Sequence, residues 1–136
     1  MDDKELVKEA ISAREKSYSP YSNFMVGAAL LTKGGKVYRG CNIENSAYGP
    51  SNCAERTAIF KAVSEGEREF TAIAVAGWAK GSKDPGFAYP CGVCRQVMYE
   101  FCNPETFKIL VARSEDNFVS LRLGELLPHG FGPDSI

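Results

Sequence analysis

Asn52-Cys53-Ala54-Glu55-Arg56-Thr57-Ala58 is answered downstream by Pro90-Cys91-Gly92-Val93-Cys94-Arg95-Gln96, and the rest of the chain is read around these two stretches. Each places thiols where a helix is expected to begin. Cys91 and Cys94 stand three apart, so at a helix start both sulfurs lie on one face, within reach of one metal ion. Cys53 supplies a third thiol and Glu55 a carboxylate beside it. Zn²⁺ takes four ligands; three from protein leave one place for water, the design of a catalytic rather than a closed structural site. Cys53, Cys91 and Cys94 are therefore the expected ligands of one Zn²⁺ per subunit, with Glu55 as acid and base. A structural zinc knot, or a redox dithiol with an unrelated third cysteine, would have no use for Glu55.

Working outward, the residues around this centre alternate between helical and extended patterns. Residues 3–16 carry Leu6, Val7, Ala10, Ile11 and Ala13 at helical spacing. Ser17-Tyr18-Ser19-Pro20-Tyr21-Ser22-Asn23 breaks that helix. Residues 24–32 and 36–43 are apolar runs around Lys33-Gly34-Gly35, a hairpin signal. These strands are rich in Ala and poor in bulky residues, which implies helices packed closely on the sheet. Residues 44–52 read as a loop, 54–63 as a helix stopping near Gly66, and 71–76 as a short buried strand. A loop over 77–90 precedes the cysteine pair. A helix from 91 or 92 to about 102, strands at 107–112 and 118–121, and a helical turn at 123–127 complete the order. The predicted fold class is α/β, a three-layer α/β/α sandwich with one mixed sheet, and residues 1–136 form a single domain.

Composition narrows the function. The 136 residues are 44% hydrophobic and 24% charged with a net charge of −1, so a nucleic-acid polymer is not an expected partner. No apolar run approaches the roughly 20 residues of a membrane span, and Met1-Asp2-Asp3-Lys4 is no signal peptide, which points to the cytoplasm. Five cysteines, an odd number, argue for reduced thiols. Cys41 and Cys102 are expected as buried packing residues, Trp78 and Tyr89 as packing aromatics, and His129, the sole histidine, as a surface or interface residue.

Zinc with three thiolates carries a net charge of about −1, which weakens its power to acidify water. Helix N-termini offset part of that charge. Arg56 and Arg95 each directly follow a proposed site residue, and both are expected to hydrogen-bond the sulfurs. Glu55 poses a geometric condition. Residues two apart on a helix diverge, so Cys53 and Glu55 share one ion only if Cys53 lies at or before the first turn.

Further motifs run through the chain in order: Pro20-Tyr21-Ser22-Asn23-Phe24-Met25-Val26-Gly27-Ala28-Ala29-Leu30, Gly40-Cys41-Asn42-Ile43-Glu44-Asn45, and Leu126-Leu127-Pro128 with Phe131. With Cys-x-Glu and Pro-Cys-x-x-Cys they make the chain similar, over nearly its whole length, to the small homotetrameric cytidine deaminases. The zinc nucleobase deaminase signature has an all-cysteine variant, and Cys53 stands at its histidine position. The resemblance implies hydrolytic deamination of cytidine and deoxycytidine in pyrimidine salvage, with Glu55 moving protons between water, ring nitrogen and departing ammonia. It also implies that Phe24 packs on the nucleoside and that Asn42 and Glu44 bind ribose hydroxyls. The backbone around Ala54 and Cys91 would read the pyrimidine edge. Tyr48, in the loop 46–48, and Phe131 would complete sites across subunits of a homotetramer.

The long Gly- and Pro-rich segment 77–89, Ser46, and the stiff Gly49-Pro50 depart from the family pattern near the expected pocket rim. They leave open another aminopyrimidine nucleoside as substrate. Outside the enzyme class, the alternative is a non-catalytic zinc-stabilised binding module.

Overall fold

The computed structural model describes residues 1–136. Helix α1 (Asp3–Arg14) opens on Asp2, whose carboxylate accepts the Glu5 N–H at 2.8 Å. Its buried residues Leu6, Val7, Ala10 and Ala13 recur every three or four positions, the period that gives a helix one apolar face. The hairpin expected around Gly34-Gly35 forms between β1 (Phe24–Thr32) and β2 (Val37–Cys41), with Gly35 at φ 95° in its turn. Helix α2 (Ala54–Ser64) ends before Gly66, which adopts φ 100°, a left-handed conformation that glycine takes without steric cost.

Strand β3 (Phe70–Ala79) leads to helix α3 (Gly92–Phe101), and β4 (Lys108–Ser114) and β5 (Asn117–Arg122) follow before the short α4 (Leu123–Leu126). The five strands form one mixed sheet in the order β2-β1-β3-β4-β5. Only β3 and β4 run parallel. They are joined through α3, the crossover that a parallel pair requires. Strand β3 is longer than expected: Gly77, Trp78 and Ala79 pair with Val26, Met25 and Phe24 of β1. That pairing holds residues without an apolar pattern in the sheet.

Alternation along the strands divides the core in two. Ala29, Ala72, Ala74, Ala76, Leu110 and Ala112 pack under α1. Ala28, Leu30, Ile73, Val75, Ile109 and Val111 pack under residues of α2 and α3. The α/β/α layering follows from this split. Cys102 is buried in the α2–α3 side, and burial alone pushes its thiol up to about 12. Cys41, expected to be buried, is only half-buried; as the last residue of β2 it lies at the sheet edge and its thiol faces the Lys16 carbonyl at 3.3 Å.

Arg14 fixes the end of α1 to the sheet. Its guanidinium is almost wholly enclosed, donates to the carbonyls of Met25 (3.0 Å) and Trp78 (2.9 Å), and lies 4.4 Å above the Trp78 ring. Trp78 is thus a packing aromatic, as expected. No helix is long and apolar enough to cross a membrane.

Candidate active site

Cys53 is the N-cap of α2 and Cys91 the N-cap of α3, both in extended backbone (φ −80°, ψ 158° and φ −68°, ψ 167°). Cys53 therefore lies outside the helical turn, which meets the geometric condition on Glu55: the cap residue turns back towards the site while Glu55 projects from the first turn. What places Cys53 is the loop before it. Ile43 and Asn52 exchange backbone hydrogen bonds, both 2.9 Å, closing residues 44–51 into a loop. The Asn52 amide then donates to the Thr57 hydroxyl at 3.1 Å, and that hydroxyl donates to the Cys53 carbonyl at 3.1 Å.

The three sulfurs form a compact triangle. Cys53 Sγ lies 3.7 Å from Cys91 Sγ, which lies 3.5 Å from Cys94 Sγ, and all three fall within 4.8 Å of one another. Zn–S bonds of about 2.3 Å at tetrahedral angles separate sulfurs by about 3.8 Å, so the trio fits a zinc ion. Its charge is already organised. Hydrogen bonds from Cys94 and Arg56 hold the Cys53 thiol well below its ordinary value, against the cost of burial. Cys94, the proton donor to Cys53 and itself buried, is pushed up.

Arg56 reaches Cys53 Sγ with Nη2 at 3.2 Å, while its buried Nε finds no partner. Arg95 does not reach a thiol. Its Nε donates to the Pro90 carbonyl at 2.7 Å and its Nη1 to that of Leu126 at 2.8 Å. On the first turn of α3 its side chain runs away from the sulfurs, so it braces the backbone before Cys91 rather than offsetting thiolate charge. Arg56→Gln is expected to weaken zinc affinity and turnover by about 10- to 100-fold, measured by chelator competition and by rate; unchanged values would remove Arg56 from the site.

Cys94 is fully buried, while Cys53 and Cys91 line a cavity of about 350 Å³. Glu55 lines it while being only 4% exposed. Burial pushes its carboxyl up to about 7, with the Cys53 thiolate acting in the same direction. Phe24, Asn42 and Glu44 line the same cavity. Much of their polar capacity is held within the chain. Asn42 Oδ1 accepts from the Val26 N–H at 2.9 Å and from the Ser17 hydroxyl, and Nδ2 donates to the Phe24 carbonyl at 2.7 Å. Glu44 Oε1 accepts the N–H groups of Tyr21 (2.9 Å) and Ser22 (3.2 Å), and Oε2 the Ser22 hydroxyl. These donors, the Ser22 hydroxyl first, hold the Glu44 carboxyl below its ordinary range.

Other expected contacts stand elsewhere. Ala54 is fully buried and does not line the cavity. Tyr48, at φ 61°, is 73% exposed and touches Tyr21 edge-on rather than entering the cavity. Phe131 is 61% exposed on a tail fixed by the Gln96 amide donating to its carbonyl at 2.7 Å. Conversely Tyr89, expected only to pack, lines the cavity together with Ala88. Its place directly before Pro90-Cys91 was the available signal.

Residues 1–110 match the family model of the cytidine and deoxycytidylate deaminase zinc-binding region. The chain is 53% identical over 131 residues to a cytidine deaminase of Halalkalibacterium halodurans, covering 96% of this chain and 95% of the relative. It is 46% identical over 136 residues to one of Sporosarcina psychrophila, covering 100% and 96%. Among solved structures, cytidine deaminase from Burkholderia pseudomallei superposes with a TM-score of 0.87 at 48% identity, over 96% of this chain and 100% of that one. The Mycobacterium tuberculosis enzyme gives 0.81 at 38%, over 97% and 98%. A sulfur triad of zinc dimensions, a buried carboxylate on the same cavity and these likenesses over the whole chain lead to one assignment: the chain belongs to the cytidine and deoxycytidylate deaminase family.

Proposed function

We propose that residues 1–136 act as one catalytic domain that hydrolyses cytidine and deoxycytidine to uridine and deoxyuridine, releasing ammonia. The observation that carries this reading is the buried Glu55 on the cavity lined by Cys53 and Cys91, two members of the Cys53–Cys91–Cys94 triangle. Zn²⁺ bound by those three sulfurs supplies Lewis acidity, which makes water a nucleophile near neutral pH.

The chain's own residues handle the protons. The Glu55 carboxylate takes one from the attacking water and passes it to the pyrimidine ring nitrogen beside the amino-bearing carbon. As the carbon–nitrogen bond breaks, the same carboxyl carries the proton of the newly added hydroxyl, which becomes the carbonyl, to the departing amine. Burial disfavours the bare carboxylate, so Glu55 is suited both to take up a proton and to give it back. Phe24 supplies an apolar face for the nucleoside. Asn42 keeps one N–H beyond that given to Phe24, and Glu44 keeps acceptor capacity on Oε2. A donor and an acceptor together satisfy one ribose hydroxyl. Arg56 steadies the Cys53 thiolate.

Tyr48 and Phe131, exposed outside this chain's own cavity, fit a homotetramer in which neighbouring subunits complete each site. With Val93 and Phe60 they leave large apolar side chains on the surface. Light scattering should give about four times 14.8 kDa; a monomer would overturn the shared site. Free nucleoside substrates and unpaired thiols suit a salvage role in the cytoplasm. The direct test is ultraviolet absorbance of cytidine with zinc-replete protein. Steady conversion to uridine is expected. A flat trace with cytidine but turnover of another aminopyrimidine would reassign the substrate, and silence across such a panel would favour the non-catalytic binding module.

A further inference from the structure

One wall of the cavity belongs to neither helix. Ala88 and Tyr89 come from the segment 80–91 that leaves β3, and Tyr89 is half exposed on the cavity side. Ala88 comes within van der Waals range of Gly77; a Cβ there would stand 3.0 Å from the Ala88 methyl and 3.3 Å from the Phe24 ring. The wall is therefore tightly seated at its inner end. Its outer end, with little apolar burial of its own, needs a tether.

Arg113 provides it. β3 and β4 are parallel, so the end of β4 lies at the same sheet edge from which this segment departs. From there Arg113 Nε donates to the Pro85 carbonyl at 2.6 Å and Nη2 to Asp84 Oδ1 at 3.0 Å, and the guanidinium lies 5.6 Å from the Phe87 ring centroid. Asp84 is almost fully exposed, and an ion pair there contributes little. The bond to Pro85 and the cation–π contact fix the backbone and the ring. Phe87 in turn lies against Tyr89, with ring centroids 6.5 Å apart. The chain of contact runs from Arg113 through Phe87 to Tyr89 and ends at the substrate cavity.

We propose that Arg113, which lies outside the cavity, is a positioning residue that sets the Ala88–Tyr89 wall and thereby the fit of the nucleoside. This rests on the deaminase reading above. Two measurements on Arg113→Ala and Arg113→Lys test it. Trypsin cleavage at Lys80 and Lys83, inside the segment, reports the tether without reference to catalysis, and should run faster in Arg113→Ala. KM for cytidine should rise about fivefold in Arg113→Ala with kcat within about twofold, since the wall binds but does not touch the reacting atoms. Arg113→Lys keeps a cation over Phe87 and one donor for Pro85, and should recover part of the KM. Unchanged cleavage would overturn the tether. Faster cleavage with unchanged KM would overturn the link to substrate, and so would a loss of kcat and zinc together. A wild-type protein silent on cytidine would sink the deaminase reading itself, a result distinguished by its presence without any substitution.

Discussion

Glu55→Gln is expected to lower kcat for cytidine by about 10⁴-fold while zinc stoichiometry and fold are unchanged, because acid–base assistance of this kind contributes up to about that factor. The amide fills the same space and can still accept a hydrogen bond, but it cannot carry a proton. The structure adds a second, independent readout in metal-stripped protein. Glu55 is buried, and burial raises its carboxyl from the ordinary 4.5 to about 7. Below about pH 4.5 it is neutral in folded and unfolded chains alike, and its burial carries no ionisation cost. As pH rises towards 7 the unfolded chain ionises first, so the Glu55 contribution to folded stability falls, by about 3 kcal/mol in all, while the lowered Cys53 thiol acts the other way in wild type and variant alike. Glu55→Gln should abolish that decline and melt higher than wild type at pH 8. Chemical denaturation at pH 4.5 and pH 8 checks it. Retained turnover in the variant would remove Glu55 from catalysis, and an unchanged pH slope would mean that its carboxyl is not desolvated.

How much of this site could be read in the sequence depends on how local each feature is. The sulfur triangle was legible because Cys-x-Glu and Pro-Cys-x-x-Cys carry their geometry in their own spacing, and because both stretches precede helical patterns. The cap conformation of Cys53 could only be posed as a condition, since it is set by the Ile43–Asn52 bridge rather than by neighbours along the chain. The end of β3 was missed for a related reason. Gly77-Trp78-Ala79 has no strand pattern and is extended because β1 pairs with it. Arg95 and Tyr89 were misread for want of their partners. The carbonyl of Leu126 and the cavity wall come from segments brought together only by the folded chain. The alanine-rich strands, by contrast, correctly signalled close-packed helices, and that closeness has a measurable consequence.

Gly40→Ala is expected to damage fold and site together by adding a single methyl group. Gly40 on β2 pairs with Ala28 on β1, on the face covered by α2. A Cβ there would stand 2.5 Å from the Ala58 nitrogen and closer still to the Ala54 carbonyl. Both are backbone atoms of a helix, so no rotamer change can relieve the clash and α2 itself must move. Overpacking of this kind costs about 3 kcal/mol, or a fall in Tm of about 10 °C for a chain of this size. The part of α2 that is pushed is its first turn, between Cys53 and Glu55 on one side and Thr57, which braces Cys53, on the other. Zinc affinity should therefore fall with stability. Gly27→Ala separates the two effects. Gly27 faces the other layer, where a Cβ would stand 2.8 Å from Arg14 Cα and closer to the Ala10 carbonyl of α1. Its loss of Tm should be similar, but the sulfur triangle lies beyond the sheet, so its folded fraction should bind zinc with wild-type affinity. Melting curves and chelator competition on the two variants decide the matter. A Gly40→Ala protein that melts and binds zinc like wild type would mean that α2 is free to slide on the sheet, and equal zinc losses in both variants would mean that the site responds to global stability rather than to the seating of α2.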